Sequence, residues 1–309
     1  MKKLFTLFSL SAVLLFFNDV KAQEVGFGVG TSNYFGDLGR QGMGNSYVSD
    51  LWIEETKPSF TLFYRYSFLE RFAVKSSLSL GWIGADDALI SDVERGDDAW
   101  FRQYRNLHFK SHIFELSVMG EVNILPYAPG SYRDRFTPYI TGGISVFHFD
   151  PKAEYNGEWV RLQPLGTEGQ NTPEYPDRQK YSLIQPAIPL GLGVKYNINN
   201  NLILNFEVAH RFTFTDYLDD VSLDYVDRRV FDNNYETERA DMIFALSNRS
   251  GEVDVEGVDR NVTAPGQQRG NPAGNDAFVF TTISLSYYFG NPNNNFTDPR
   301  MMRRHRLRW

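Results

Sequence analysis

The feature that most constrains this fold is an alternation of apolar and polar residues that returns eight times along the chain. In 202–215, for example, Leu204 and Phe206 alternate with Asn205 and Glu207. A period of two places successive side chains on opposite faces of a β-strand, so each segment has one apolar and one polar face. The predicted strands cover 24–34, 59–67, 72–83, 112–125, 137–149, 183–196, 202–215 and 277–289. The chain is therefore predicted to be all-β.

The lengths of the connections between these segments alternate strictly between long and short. In chain order they hold about 24, 5, 27, 11, 32, 5 and 61 residues. Outer-membrane barrels have short periplasmic turns, long extracellular loops and an even number of strands. Most of the segments also reach the 9–11 residues that a tilted strand needs to cross a bilayer. The pattern predicts an eight-stranded antiparallel up-and-down transmembrane β-barrel in the cell outer membrane.

The ends of the chain differ from the predicted barrel in composition. Lys2 and Lys3 precede an apolar run, 4–17, and small residues follow near Ala22, so 1–22 is predicted to be a cleaved signal peptide. The barrel is predicted to cover 23–290, and a basic periplasmic tail to cover 291–309. The chain has no cysteine, so an exported fold cannot depend on disulfides.

Several charged residues fall on the polar faces of the predicted strands, which would line the lumen. A barrel of eight strands has an interior just wide enough for its own side chains, so a general porin is not expected. The predicted charges nearly balance, and ion pairs could fill the lumen; a proton or ion pathway is the alternative. The residues are Arg65, Lys75, Glu115, Glu121, Lys195, Glu207 and Arg211.

A soluble fold is the competing interpretation of the same alternation. In an extracellular β-sandwich or a lipocalin-like barrel the apolar faces would point inward rather than toward lipid. The two interpretations make opposite predictions about which side of the strands is exposed.

The longest connection is strongly acidic. From Asp216 to Arg260 it holds thirteen acidic residues and five arginines. Three roles stay open from the sequence: a solvated surface loop, a divalent-cation site and a docking surface for another protein. The spacing of the aspartates does not follow the regular calcium-binding loop of helix–loop–helix sites.

The inventory of nucleophiles and bases does not indicate an enzyme. His148 is near Ser145, and His210 precedes the aspartates of the longest loop, so a Ser/His or an Asp/His pair of a hydrolase is conceivable. No nucleophile elbow and no zinc-binding pair at helical spacing is present, however. No catalytic, cofactor-binding or metal-binding residue is predicted, and the net charge of −7 argues against binding nucleic acid.

Three motifs carry a resemblance to a known family. "FGDLG" at 35–39, "RFTFTDYLDDVSLDYVD" at 211–227 and "LSYYFG" at 285–290 resemble the PorG-type outer-membrane barrels of the Bacteroidota type IX secretion machinery. The most specific part is "TDYLDDVS", which contains the motif residues Asp216, Tyr217, Leu218, Asp219 and Asp220.

The resemblance implies a non-enzymatic outer-membrane component of a protein-secretion or gliding complex. Its implied partners are the periplasmic ring lipoprotein and the partner of that lipoprotein, which are PorK-like and PorN-like, or GldK-like and GldN-like in gliding bacteria. An OmpA-like or OmpX-like structural or adhesion barrel that displays acidic loops is the alternative.

The end of the chain has the opposite charge to the rest of the mature protein. Its arginines are Arg300, Arg303, Arg304, Arg306 and Arg308. With an even strand number this tail lies in the periplasm, where guanidinium groups can bind carboxylate or phosphate. A disordered, solvated end is the simpler expectation.

Overall fold

A computed structural model of the protein describes residues 23–39, 55–90, 98–253 and 260–290. The predicted signal peptide and the basic tail lie outside the described residues. Eight long strands form the barrel, and a two-stranded hairpin, β6–β7, extends one of its loops. The strands are β1 (Gln23–Phe35), β2 (Lys57–Leu69), β3 (Phe72–Asp86), β4 (His108–Asn123), β5 (Phe136–Phe149), β6 (Lys152–Tyr155), β7 (Glu158–Arg161), β8 (Ile184–Asn197), β9 (Leu202–Thr213) and β10 (Ala277–Tyr288).

The strands close into a complete barrel. Every barrel strand pairs antiparallel with its neighbour along the chain, apart from the hairpin, and β10 pairs back onto β1 from Glu24–Tyr288 to Phe35–Ala277. Closure leaves none of the eight strands with an unpaired edge, which is the condition for a sheet to lie in hydrocarbon. The predicted eight-stranded antiparallel barrel is confirmed.

The outer surface of the barrel is apolar. Large side chains such as Ile144 (71% exposed), Leu192 (63%) and Leu116 (55%) face outward, whereas charged residues such as Arg65 and Glu121 are buried inside. A soluble sandwich or lipocalin-like barrel has the reverse arrangement, so that alternative is excluded. A closed barrel with a lipid-facing apolar belt belongs in the outer membrane, which is where this protein resides.

One pair of strands contains the irregularity that its prolines predict. Pairing of β5 with β8 runs from Phe136–Tyr196 to Gly142–Leu190 and resumes at Ser145–Ala187. The interruption lies at Pro189, which has no N–H to donate to the ladder. The strands remain in the same register on both sides of it.

The long connections are folded, which the period-two pattern does not predict. They contain the helices α1 (Asp98–Arg105), α2 (Arg228–Asn234) and α3 (Thr237–Ser247), and the hairpin β6–β7. We call the described parts of 36–39, 87–107, 150–183 and 214–276 the cap. By the rule that long loops are extracellular, the cap lies outside the cell and the turns 70–71, 124–135 and 198–201 lie in the periplasm.

The cap and the outer mouth of the barrel share one apolar core. Phe147 and Phe278 from the barrel wall belong to the same buried cluster as Leu218, Phe231 and Ile243 from the longest loop. The cap therefore packs onto the barrel rather than extending away from it. Among the described residues, no helix is long and apolar enough to cross a membrane.

Candidate functional site

The centre of the lumen is occupied by a buried guanidinium group. Arg65 of β2 forms ion pairs with Glu24 of β1 at 2.7 Å and with Glu121 of β4 at 2.9 Å. It also donates to the side-chain oxygen of Asn205 of β9 at 3.0 Å. Strand alternation directs all four side chains inward, and barrel closure brings β9 opposite β2. Arg65 therefore ties together strands from both sides of the lumen.

Two lysines extend this network. Lys195 of β8 contacts Glu121 at 2.5 Å and Asn123 at 3.1 Å. Lys75 of β3 forms an ion pair with Glu207 of β9. Tyr139 of β5 donates to the same Glu207 carboxylate at 2.7 Å. The network thus joins β8 to β4, and β3 and β5 to β9.

A separate ion pair lies nearer to the cap. Arg211 of β9 donates to Glu115 of β4, with the closest contact at 3.0 Å, and stacks over the ring of Phe280, 4.4 Å from its centroid. The structure thus brings all seven predicted lumen residues together as cation–carboxylate pairs. The charges lie in direct contact with one another and fill the interior. They do not form the row of separated charges that a proton or ion pathway would have.

Glu24 is a charged lumen residue that the sequence interpretation missed. With it, four cations face four carboxylates: Arg65, Lys75, Lys195 and Arg211, against Glu24, Glu115, Glu121 and Glu207. The signal was available in the sequence, because Glu24 shares its strand face with Gly26 and Gly28. Alternation alone would have placed it in the lumen.

Little space remains inside the barrel. The cavity beside Phe63, Arg65 and Tyr139 has a volume of about 20 Å³, which is close to that needed for one water molecule. At the periplasmic end Tyr127, Ile203 and Tyr288 form a small buried cluster. The Tyr127 hydroxyl donates to Asn197 at 2.5 Å. Packed side chains therefore fill the described lumen at both of these levels.

The family-resembling motif residues lie where the longest loop leaves and re-enters the barrel. Asp219 accepts a hydrogen bond from the hydroxyl of Tyr34 at 2.6 Å, and Tyr34 is the inward-facing residue near the outer end of β1. Asp276, which precedes β10, accepts from the backbone N–H of Leu218 at 2.8 Å. These contacts fix the start of the connection 214–276 to its own end.

The next residue of the motif joins the longest loop to the loop before it. Asp220 accepts from Thr167 at 2.5 Å and from Tyr181 at 2.7 Å. Arg269 donates to the backbone oxygen of Asp220 at 2.7 Å and to the Glu168 carboxylate at 2.9 Å. We call Glu168, Asp220 and Arg269 the cap junction.

Burial bears on one of the roles left open for the acidic loop, that of a solvated surface loop. Leu218 and Asp220 are fully buried, and Asp219 is 1% exposed. Free solvation is therefore wrong for this part of the loop, because these side chains pack against Tyr34, Thr167 and other cap residues instead of water. Tyr217 stacks on Tyr181, with 4.8 Å between ring centroids. Among the described residues, no group of three His, Cys, Asp or Glu side chains is placed to hold a metal ion.

Several of the cap carboxylates have pKa values shifted upward. Burial, together with the nearby carboxylates of Asp37 and Glu168, raises the pKa of Asp216 to about 7. Burial raises the pKa of Asp220 to about 6, although Arg269 opposes the shift. Burial and the neighbouring carboxylate of Asp37 raise the pKa of Asp219 well above its usual range. The cap thus holds protons that an unfolded chain would release at lower pH.

The sign of the resulting pH dependence follows from linkage. A carboxyl whose pKa is raised by folding stabilises the folded state below its unfolded pKa of about 4, and this stabilisation is lost as the pH rises through the folded value. We therefore expect the cap to be most stable near pH 4 and to loosen between about pH 5 and pH 7. Hydrogen exchange of cap amides, corrected for intrinsic exchange rates, measures this change.

Asp216→Asn removes one of these titrating groups and should flatten the pH dependence of cap exchange. Asp232→Asn is the matched control, because its carboxylate lies at the surface of α2. Cap protection that increases from pH 5 to pH 7 in the unaltered protein would show that the linkage argument is wrong.

The hydrolase pairs drawn from the sequence do not form. Ser145 faces the lumen, whereas His148 faces outward and stacks on His112, with 5.3 Å between ring centroids. His210 also lies on the outer face, beside Phe35 and Phe212. The five tail arginines from Arg300 to Arg308 lie outside the described residues.

Comparison with known proteins gives a family and a set of barrel structures. A family model described as "Domain of unknown function (DUF6089)" matches residues 2–231. A search of curated proteins gave no sequence match.

The chain is similar in structure to Ail, the attachment invasion locus protein of Yersinia pestis, in complex with the heparin analogue sucrose octasulfate. That comparison has a TM-score of 0.36 and 10% identity, and it covers 87% of this chain and 98% of the other. For the outer membrane protein OprG from Pseudomonas aeruginosa the TM-score is 0.37 with 11% identity, covering 88% and 98%. For Neisserial surface protein A the TM-score is 0.37 with 7% identity, covering 86% and 96%.

The barrel architecture itself is given by the strand pairing of this chain. The family match covers the predicted signal peptide, most of the barrel and the cap motif, which is well over half of the 309 residues. The chain belongs to the DUF6089 family.

Proposed function

We propose that this protein is a non-enzymatic outer-membrane anchoring component of a type IX protein-secretion or gliding complex, and that it contacts the periplasmic ring. The observation that supports a role through protein–protein contact is the filled lumen. Ion pairs cross the lumen at Arg65 and Arg211, and a tyrosine cluster closes its periplasmic end. A barrel that passes no solute must act through its surfaces.

The motifs that resemble PorG-type barrels have identifiable structural roles, which supports carrying the family's function to this chain. In "FGDLG", Gly39 adopts a left-handed conformation with φ of 76° and donates its N–H to Asp87 at 2.9 Å. In "LSYYFG", Tyr288 belongs to the cluster at the periplasmic end. The motif containing Asp219 and Asp220 ties the cap to the barrel. The three motifs therefore maintain the ends of the barrel, where partners would bind.

The periplasmic turn 124–135 is the surface on which we place the ring contact. It is held rigidly, because the side-chain amide of Asn197 donates to the backbone oxygens of Ala128 and Ser131 at 3.0 and 3.1 Å. Tyr132 and Arg133 are exposed on it. Tyrosine and arginine are typical of the residues that contribute most to protein–protein interfaces.

Affinity purification tests the proposed function. The tagged full-length protein is isolated in mild detergent from its own membranes, and the proteins that stay bound are identified by mass spectrometry. We expect the periplasmic ring lipoprotein and its partner to co-purify with the unaltered chain. The double variant Tyr132→Ala/Arg133→Ala should retain less of both, and Arg229→Ala, on the extracellular cap, should retain the normal amount. Purification of the unaltered barrel without ring proteins would contradict the proposal.

Deletion of 299–309 tests the predicted role of the basic tail in the same purification. We expect the barrel to insert normally, because strand pairing ends at Tyr288. Association with the ring should weaken, because five arginines that can bind carboxylate groups are removed. Unchanged recovery of the ring proteins would show that the tail is not part of the contact.

A structural or adhesion barrel is the second candidate, and the folded cap favours it. The cap carries three helices and a buried apolar core on the extracellular side, so it can present a defined surface. An adhesion barrel that lacks an ordered cap should lose binding to an external partner, and no ring protein should co-purify with its unaltered form. A secretion component should keep its ring proteins without an ordered cap, because the proposed contact lies on the periplasmic turn 124–135.

A further inference from the structure

The outer face of the barrel carries one cation within its strands. On the eight barrel strands, all of which are described, Lys110 of β4 is the only lysine or arginine whose side chain faces outward. The other outward positions are mainly apolar or aromatic, as lipid requires. A single exposed lysine on such a face needs a specific environment.

That environment is built from the neighbouring strands and the hairpin. Lys152 of β6 pairs in register with Lys110. The ring of Trp159 on β7 lies 3.2 Å from the ammonium group of Lys110, measured to the ring centroid. One step closer to the membrane, His112 stacks on His148 of β5. Four cationic or imidazole groups and one indole thus form a continuous patch, which we call the rim patch.

The height of the rim patch follows from the residues below it. Phe114 comes directly after His112 on the outer face of β4, and Val146 holds the same position below His148 on β5; each side chain is about half exposed. These two residues begin the lipid-facing belt. The rim patch therefore lies at the level of the lipid headgroups of the outer leaflet, where tryptophan is also enriched.

The groups of the rim patch are only partly engaged by the protein. Among the described residues, neither the His112 nor the His148 ring has a hydrogen-bond partner, and the contact of Lys110 is the indole ring. Lys152 is 3.9 Å from Asp150, whose closer partner is Arg161 at 2.8 Å. Glu154, on the hairpin, offsets part of the positive charge of Lys110.

We propose that the rim patch binds the phosphate group of a phosphorylated lipid in the outer leaflet. Lys110 and Lys152 supply the positive charge, and the two imidazoles supply N–H donors below them. The acyl chains of the same lipid lie along Phe114 and Val146. Trp159 holds the ammonium group of Lys110 toward the headgroup layer through a cation–π contact.

Native mass spectrometry of the full-length protein in mild detergent tests this site. Two probes are compared: a bisphosphorylated glycolipid of the lipid A class, and the same glycolipid with both phosphates removed. We expect the phosphorylated lipid to remain bound at collision energies that remove the dephosphorylated one. Equal retention of the two lipids would overturn the proposal, because it would show that acyl chains alone determine binding.

The double variant Lys110→Gln/Lys152→Gln should lower the affinity for the phosphorylated lipid about 30-fold, since each lysine near an anionic surface raises the affinity about fivefold. Lys110→Arg should retain binding. Arg229→Gln is the control for loss of a cation elsewhere, because its guanidinium is exposed on α2 and pairs with the adjacent Asp227. An unchanged affinity in the double variant would also overturn the proposal.

Folding of each variant is checked by the mobility shift of unheated and heated barrel in gel electrophoresis. If the double variant does not insert, His112→Gln/His148→Gln provides the second test. It should weaken retention of the phosphorylated lipid and leave that of the dephosphorylated lipid unchanged. Equal effects on the two lipids would contradict a role in phosphate binding.

Discussion

Replacing Arg65 with methionine is expected to lower the free energy of unfolding of the barrel by about 3–5 kcal/mol. Methionine retains much of the side-chain volume but removes the charge, which leaves Glu24 and Glu121 buried beside fewer cations. Lys75 and Lys195 remain near Glu121, but Glu24 loses its ion-pair partner among the described residues. Denaturant unfolding in lipid vesicles, followed by tryptophan fluorescence, measures the change.

The Glu115–Arg211 pair provides the control for this prediction. Arg211→Met alone should also be strongly destabilising, because Glu115 then remains buried without its partner. The double variant Glu115→Leu/Arg211→Met should recover most of the loss, since a buried pair replaced by apolar residues of similar volume is often neutral. If Arg65→Met and Arg211→Met both unfold at the denaturant concentration of the unaltered protein, the ion pairs do not maintain the barrel.

Replacing Arg269 with methionine is expected to release the cap while the barrel stays folded. Arg269 is buried and donates to the Glu168 carboxylate, to the backbone oxygen of Asp220 and to that of Ser247. Without it, Glu168 keeps the N–H groups of Ser222 and Leu223 but loses its only cationic partner among the described residues. Leaving such a charge buried and uncompensated costs about 3–5 kcal/mol.

Limited proteolysis of vesicles that carry the protein measures this release. We expect cleavage within 214–276 to become much faster in Arg269→Met, while the heat-dependent mobility shift of the barrel is retained. Arg229→Met is the matched control, because that arginine is highly exposed and its removal leaves no buried charge. Unchanged cleavage in Arg269→Met would show that the cap junction is not what holds the cap.

Together, the filled lumen and the ordered cap restrict how the protein can act. The lumen cavity has about the volume of one water molecule, and the cap shares its apolar core with the mouth of the barrel. The cap is joined to the barrel wall through Tyr34, which contacts both Asp219 and Asp276. The periplasmic turns are connected to the same wall through Asn197 and Tyr127. The cap, the barrel wall and the periplasmic turns therefore form one continuous packed structure.

The sequence by itself determined the strands and their faces. The period of two is a local property of each segment, and it predicted eight strands whose bounds differ from the structure by a few residues; β4, for example, begins at His108 instead of 112. Because alternation fixes the face of every residue, it also placed Arg65, Glu121 and Lys195 on the side that closure makes the lumen. Closure of the barrel could also be predicted, because hydrocarbon contains no water to hydrogen-bond the backbone groups of an open sheet edge.

Only the tertiary structure decided the partners and the cap. Lys195 contacts Glu121, 74 residues away, and Asp219 contacts Tyr34, 185 residues away. Such pairs depend on barrel curvature and on how separate loops pack, which no local pattern records. For the same reason the acidic motif could not be recognised as buried, because its charge predicts exposure to solvent. It is buried because an apolar core encloses Leu218 and because Thr167 and Tyr181 donate hydrogen bonds to Asp220. The sequence therefore determined what local alternation and the bilayer require, and the tertiary structure decided what depends on contacts between distant segments.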